Sequence, residues 1–313
     1  MRIKLIPALF VLSIVTFSCK KEQTEGEREL PPVVNQSPYL NKIYEFRPAP
    51  GQFTNEGGNN DLAKTDILIG AVGNGLVSLG GYGGYIVFGF DHAVTNGPGV
   101  DLGIHGNPLI GLGMEFSEPG IVSVMQDKNK NGLPDDEWFE LAGSDYNAST
   151  TIKNYKITYY KPASLTDDIR WTDNQGKEGL VLRNQFHKQD YYPGWATTDE
   201  ISFTGTLVRN TLTPGSIITN KPLGIGYSDN GSSEYLSLQE QFGRGYNTFD
   251  IEWAVDSNGK KVALDAIDFV KVYTGQNSNG NPFSPDNDNP RSRFVGEIST
   301  EFAGAADLKL LKK

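Results

Sequence analysis

The chain has 313 residues, a net charge of −10, one cysteine and three histidines. That length suits one large domain or two small ones. The acidic balance with no basic stripe argues against a nucleic-acid partner, and a lone thiol leaves no internal disulfide and no cysteine-based zinc site.

Met1 to Ser18 reads as an export signal, with Arg2 and Lys4 ahead of an apolar run from Leu5 to Phe17. The run is short for a membrane-spanning helix. Cys19 follows at the position where a bacterial lipoprotein is cleaved and acylated, behind the loose lipobox Thr16-Phe17-Ser18. Cys19 is therefore the expected lipidation site, and contact with the membrane is expected through that anchor only. Residues 19–38 are polar and charged, then punctuated by Pro31, Pro32 and Pro38, and read as a flexible tether. The acidic residues just behind Cys19 resemble the surface-export signal of Bacteroidetes lipoproteins, which implies an outer-membrane protein facing the cell exterior.

Residues 39–313 form the folded part. Glycine (36 residues), Asn-rich turns and an aromatic content of 11% point to an all-β domain. A first strand is expected over Ile43 to Phe53, and a short helix over Asp61 to Ile69. The apolar run Tyr85 to Phe90 is a strand, and glycines 80, 81, 83 and 84 before it mark a bulge or a close backbone approach. No phosphate-loop signature and no following helix accompany them, so no organic cofactor is expected. Val100 to Gly106 alternates as a strand.

Glu118 to Leu141 reads as a strand, an oxygen-rich loop and a returning strand. Asp127, Asn129 and Asn131 alternate so that their side-chain oxygens can converge, and Gly132 permits the sharp turn. Trp138 stands where a helix–loop–helix calcium site would place its bidentate Glu, and Asp135 and Glu137 crowd just before it. The expectation is a hairpin-borne calcium site of Asp127, Asn129, Asn131, Asp135 and Glu137, as against a plain Asn/Gly/Asp turn. Asp101, Asn107 and Glu118 lie near strand ends and are further candidates for hard-oxygen ligation, as are Asp286 and Asp288 in a later polar loop.

Tyr155 to Tyr160 and Ile201 to Leu207 alternate as half-buried strands. Between them, residues 165–200 are the most polar and aromatic part of the domain. Trp171, Tyr191, Tyr192 and Trp195 are the expected ligand-binding faces, with His187 beside them. The competing reading is that these rings pack beneath their own loop. Tyr227-Ser-Asp229-Asn230-Gly231 with Tyr235 is a second ligand-binding candidate. Phe249 to Asp256 and Val262 to Tyr273 read as a core hairpin, and Gly296 to Phe302 as the closing strand. Helix is scarce, and a β-sandwich with long loops fits best.

Several stretches together resemble a known family. They are Leu79-Gly-Gly-Tyr-Gly-Gly-Tyr-Ile86-Val-Phe, Asn96-Gly-Pro-Gly-Val-Asp101-Leu, Gly106-Asn107-Pro108 and Glu118-Pro-Gly-Ile-Val. The loop to Glu137 with Trp138-Phe-Glu-Leu, Ile267-Asp268-Phe269, and Gly296-Glu297-Ile-Ser-Thr-Glu301 complete the set. The chain resembles the jelly-roll "cell surface protein" lipoproteins of Bacteroidetes over roughly Tyr44 to Leu308. The resemblance implies a jelly-roll-like sandwich. It also implies ligand capture beside an outer-membrane TonB-dependent receptor, because similar proteins occur in corrinoid (vitamin B12) uptake loci. The ligand is then a corrinoid or a glycan.

Catalytic signatures are missing: Gly-x-Ser-x-Gly, His-Glu-x-x-His and Cys-x-x-Cys do not occur. No residue is assigned a catalytic role, and His92, His105 and His187 are expected to be hydrogen-bonded structural groups. A carboxylate-dependent glycoside hydrolase remains as the alternative, since it needs only two facing acids, with Glu115 and Glu118 or Asp199 and Glu200 as pairs. A structural or adhesion module is the third reading.

Overall fold

The computed structural model describes residues 36–111, 114–215, 217–282 and 292–311. The signal segment, Cys19, nearly all of the tether, and Asp286 and Asp288 lie outside them. The protein is mostly β, 34% strand against 10% helix, in several small sheets. Every described ladder is antiparallel except the one-residue pairing of Asn220 with Phe116.

The largest sheet has six strands, in the order Lys42–Arg47, Tyr85–Thr95, Ala266–Thr274, Gly120–Met125, Trp138–Leu141 and Ala254–Val255. Successive side chains of a strand point to opposite faces, and here both faces are covered. On one, Ile86, Phe88, Val122, Val124, Val270 and Val272 join Leu102, Ile104, Phe249 and Ala305 in the main core. Those four belong to a three-stranded sheet, Leu102–Ile104 between Asn247–Phe249 and Ala305–Asp307. Each such side chain contributes about 1.5–3 kcal/mol by leaving water. Val124 has no exposed surface, so Val124→Asp would bury an unpaired charge and unfold this layer.

On the opposite face, Ile121 and Tyr273 pack with Val208, Leu223 and Tyr227. Tyr85 joins this cluster to the aromatic core of a four-stranded sheet built from Ile152–Tyr160, Ile169–Asp173, Glu178–Val181 and Glu200–Leu207.

The central hairpin forms as its sequence indicates, with Ser123, Val124 and Met125 paired to Glu140, Phe139 and Trp138. The expected hairpin of Phe249–Asp256 with Val262–Tyr273 does not form as a ladder; only an isolated bridge joins Val255 to Lys261. Its first arm breaks at Asp250, whose carboxylate accepts the Glu252 N–H and caps a 3-10 turn over Ile251–Trp253. The buried Asp101 carboxylate takes the Ile251 N–H at 3.0 Å. Asn247–Phe249 and Ala254–Val255 therefore serve two different sheets.

The Asp61 to Ile69 segment is a 3-10 helix, Leu62–Leu68, N-capped by Asp61. One α-helix, Ser233–Phe242, was not indicated by the sequence reading; it ends at Gly243 in the left-handed conformation that glycine favours. The closing segment is strand only at Glu301–Phe302, paired with Val77–Ser78.

Candidate functional site

A pocket of about 520 Å³ lies over the short Val77–Ser78 and Glu301–Phe302 ladder. Glu118 and Glu301 face it, with Asn107 and Ser78 beside them, and Phe53, Ile67, Leu76 and Val77 supply apolar walls. Ile67 and Leu76 are 49% and 46% exposed, so its mouth is open to solvent and partly apolar, with the exposed Glu56 and Lys64 also on the lining. This size falls within the range of small-molecule sites.

Three remote segments converge on its acidic floor. Glu118 precedes Pro119 and the strand Gly120–Met125; its N–H donates to the Asp229 carbonyl at 3.0 Å, and its own carbonyl accepts the Thr300 hydroxyl at 2.7 Å. Asp229 has φ 51°, the left-handed region that Asp tolerates better than most residues. Its Oδ1 accepts the Asn107 N–H at 2.8 Å and its Oδ2 the Glu301 N–H at 2.9 Å. Gly106 permits that approach, because a Cβ there would stand 2.5 Å from Asp229 Oδ1. The Ser299 N–H donates to Glu118 Oε1 and the Ser299 hydroxyl to Glu301 Oε1, both at 3.1 Å.

Glu118, Asp229 and Glu301 each place a carboxylate oxygen within 4.8 Å of the other two. Carboxylates this close in a dry setting cannot all be ionised without a cation between them. Burial, and then the Asp229 charge, pushes Glu118 up to about 8. Burial followed by the neighbouring Glu301 raises Asp229 well above the carboxylate range, and burial followed by Glu118 does the same to Glu301. Glu118 keeps an edge on the pocket, so solvent screens it more than the other two. The floor can therefore hold protons and donate hydrogen bonds near neutral pH, or hold a cation by three hard oxygens. Glu297, 3% exposed and pushed by burial up to about 8, lies behind it.

The residues singled out by sequence distribute differently. Trp171, Tyr191 and Tyr192 are buried in the aromatic core of the four-stranded sheet, and Trp195 packs against it. Their polar atoms are engaged inward: Tyr191 Oη accepts the Asn184 N–H at 2.8 Å, Tyr192 Oη donates to the Thr198 carbonyl at 2.9 Å, and Trp195 Nε1–H to the Pro48 carbonyl at 2.9 Å. The section forms a satellite core, not an open aromatic floor. The alternation of Ile169 and Trp171 with Arg170 and Thr172 carried that signal. His187 reaches the pocket's edge, with Nδ1 2.8 Å from Glu56 Oε2 and its ring 4.7 Å from that of Phe53. His92 sits between Asp91 and Asp307, and His105 against the Gly245 carbonyl.

In the central loop, the Asp127 carboxylate accepts the Asn131 and Gly132 N–H groups, and Asn131 Oδ1 accepts that of Leu133. Asn129 and Asn131 donate their amides to Asp135, each at 2.9 Å. The four gather around one turn, with Gly132 at φ 73°; the exposed Glu137 is outside that network. The donor set fits a hard cation, and the same oxygens also close the turn on its own amides. Asp101 caps Gly97 and Ile251 away from the pocket, whereas Asn107 and Glu118 are part of it. Glu115, Asp199 and Glu200 do not line it.

No family model matches the chain, and no curated protein sequence matches it either.

Proposed function

We propose that the protein is a lipid-anchored surface protein that captures a small ligand in the pocket above Glu118 and Glu301. The observation that carries this reading is an open mouth with apolar walls from Phe53, Ile67, Leu76 and Val77 over a floor of buried carboxyl groups. Such a site grips an apolar body by its walls and orients it by a few polar contacts. The apolar walls favour a ligand with an apolar face, and a pocket of about 520 Å³ would take only part of a corrinoid, the rest standing outside its open mouth. Anchoring at Cys19, display on the outer membrane and work beside a TonB-dependent receptor are supported by the sequence pattern and by the family resemblance. Two covered faces on a six-stranded sheet support a jelly-roll-like β-sandwich, and the donor set of the 127–137 loop supports calcium as its stabiliser.

Hydrolysis is less well supported. Glycosidase carboxylates stand roughly 5–9.5 Å apart on either side of a sugar, whereas Glu118 and Glu301 share one floor within 4.8 Å. The test is calorimetric titration of cobalamin and of a neutral glycan panel, with and without calcium. The wild type is compared with Ile67→Glu, which places a charge at the exposed mouth. Saturable binding of cobalamin, weakened at least tenfold by Ile67→Glu, is expected. Binding of neither ligand class by the wild type would refute capture.

A further inference from the structure

A row of polar side chains crosses the face of the six-stranded sheet opposite the main core. The register sets Glu45 against Val87, Val87 against Lys271, Lys271 against Ser123, and Ser123 against Glu140. Paired strands lie ~4.8 Å apart, so Lys271 is ~10 Å along the row from either acid at the backbone. Its ammonium forms no ion pair or hydrogen bond with the described residues. It lies instead against aromatic faces, 4.2 Å from the Tyr85 ring centroid and 6.0 Å from that of Tyr273.

The Lys271, Ser123 and Glu140 end of the row opens into a cavity of about 190 Å³ that Thr204 and Thr206 also line. Several neighbouring polar atoms are already committed. Glu140 Oε2 accepts the Thr206 hydroxyl at 2.6 Å, and Tyr273 Oη accepts the Thr206 N–H at 2.8 Å. Asp256 Oδ1 accepts the N–H groups of Asn258 and Lys260. Along the row, three groups face an occupant: the Lys271 ammonium, the Ser123 hydroxyl and the second Glu140 oxygen, with the hydroxyls of Thr204 and Ser257 and the second Asp256 oxygen also on the lining. The three supply a donor, a group that both donates and accepts, and an acceptor.

The charge balance selects the class of occupant. Lys271 and Lys153 stand against Asp256 and a Glu140 that burial keeps partly protonated, so the mixed lining matches neither a simple anion nor a simple cation. A neutral ring bearing successive hydroxyls can meet all three groups, and Trp138 on the wall offers flat apolar surface to its C–H face. The volume lies below that of drug-sized sites, which limits the occupant to one ring.

The geometry points to a second binding site here, for a single neutral sugar ring gripped by Lys271, Ser123 and Glu140. The ring is a free monosaccharide or one residue of a glycan. Burial pushes Glu140 up to about 7 and holds Lys271 below the ordinary lysine range, as befits groups whose remaining solvation comes through the cavity. The site stands independently of the pocket over Glu301 and shares no lining residue with it.

The test is titration of the intact protein with D-glucose, D-galactose, D-mannose and N-acetyl-D-glucosamine, with acetate and methylammonium as charged controls. Saturable binding of at least one sugar is expected, weakened at least tenfold by Lys271→Met and by Glu140→Gln and unchanged by Ile67→Glu. On the wild type, the same sugar should slow acetylation of Lys271 by an amine-reactive ester at least threefold, read by mass spectrometry. This measurement does not depend on how the variants fold. Failure of all four sugars to bind would overturn the proposal. Tighter binding of acetate or methylammonium than of any sugar would also do so, as would sugar binding that leaves Lys271 acetylation unchanged.

Discussion

Glu297 offers the sharpest test of the electrostatics behind the pocket. Its Oε1 accepts the Gln52 N–H at 2.8 Å, while Oε2 is buried without a partner. Burial lifts the group from 4.5 to about 8. A carboxyl raised in this way stabilises the fold fully below its unfolded value, and that contribution is lost as pH climbs through the folded one. Between pH 4.5 and about 8 the folded chain keeps a proton that the unfolded chain has released, so stability falls by about 1.4 kcal/mol per pH unit. The span from 4.5 to about 8 bounds the loss at about 5 kcal/mol, and relaxation around the charge reduces it. Glutamine has the shape of the protonated acid and no charge. Glu297→Gln should therefore match the wild type at pH 5 and exceed it at pH 8 by about 2–5 kcal/mol. At about 2–4 °C per kcal/mol, calorimetric Tm values at pH 5, 6, 7 and 8 would resolve the divergence. A variant destabilised equally at every pH, or a wild-type Tm that rises from pH 5 to pH 8, would refute the reasoning.

Asp127→Ala removes acceptors for two N–H groups in the central loop and should cost about 1–2 kcal/mol without calcium. In calcium the cost should be larger, and equal Tm changes with and without calcium would count against a metal there. Gly106→Ala would push a methyl group to within 2.5 Å of Asp229 Oδ1. It should destabilise by about 1–3 kcal/mol and weaken cobalamin binding, both read from one set of titration and unfolding curves. Tyr191→Phe leaves the buried Asn184 N–H without its 2.8 Å acceptor and should cost about 1–3 kcal/mol. The same change should leave cobalamin affinity unchanged, because that ring belongs to a core; a tenfold loss of affinity would restore the aromatic section as the ligand site.

What the sequence made legible was local. The central hairpin was readable because its strands flank one turn, so the alternation of Val122 and Val124 and the loop chemistry of Asp127 to Gly132 point to the same pairing. The hairpin expected from Phe249 to Tyr273 had the same alternation and still did not form. A single side chain from far away, Asp101, captures the Ile251 N–H, and the arm turns into a 3-10 helix. Periodicity reports which face of a strand is buried but not which strand lies beside it. The aromatic section shows the related ambiguity between a ring that packs and a ring that binds. Trp171 pairs with Tyr159 in the ladder, and only that partner turns a candidate ligand face into core.

The acids of the pocket were visible as fragments, Glu118-Pro-Gly, Tyr227-Ser-Asp229 and Ser-Thr-Glu301, yet nothing in any fragment says that they meet. Sequence reading treats an acidic residue as solvated unless paired, because burying a lone carboxylate is so costly. That rule fails where several acids enter together and hold protons. The cost then becomes a shifted protonation equilibrium, not a missing partner. The backbone carries independent marks of the arrangement, in the left-handed φ at Asp229 and the Cβ-free approach of Gly106. Both belong to residue types that also fill ordinary turns. Buried acids that hold protons therefore leave their clearest trace in the pH dependence of stability and binding.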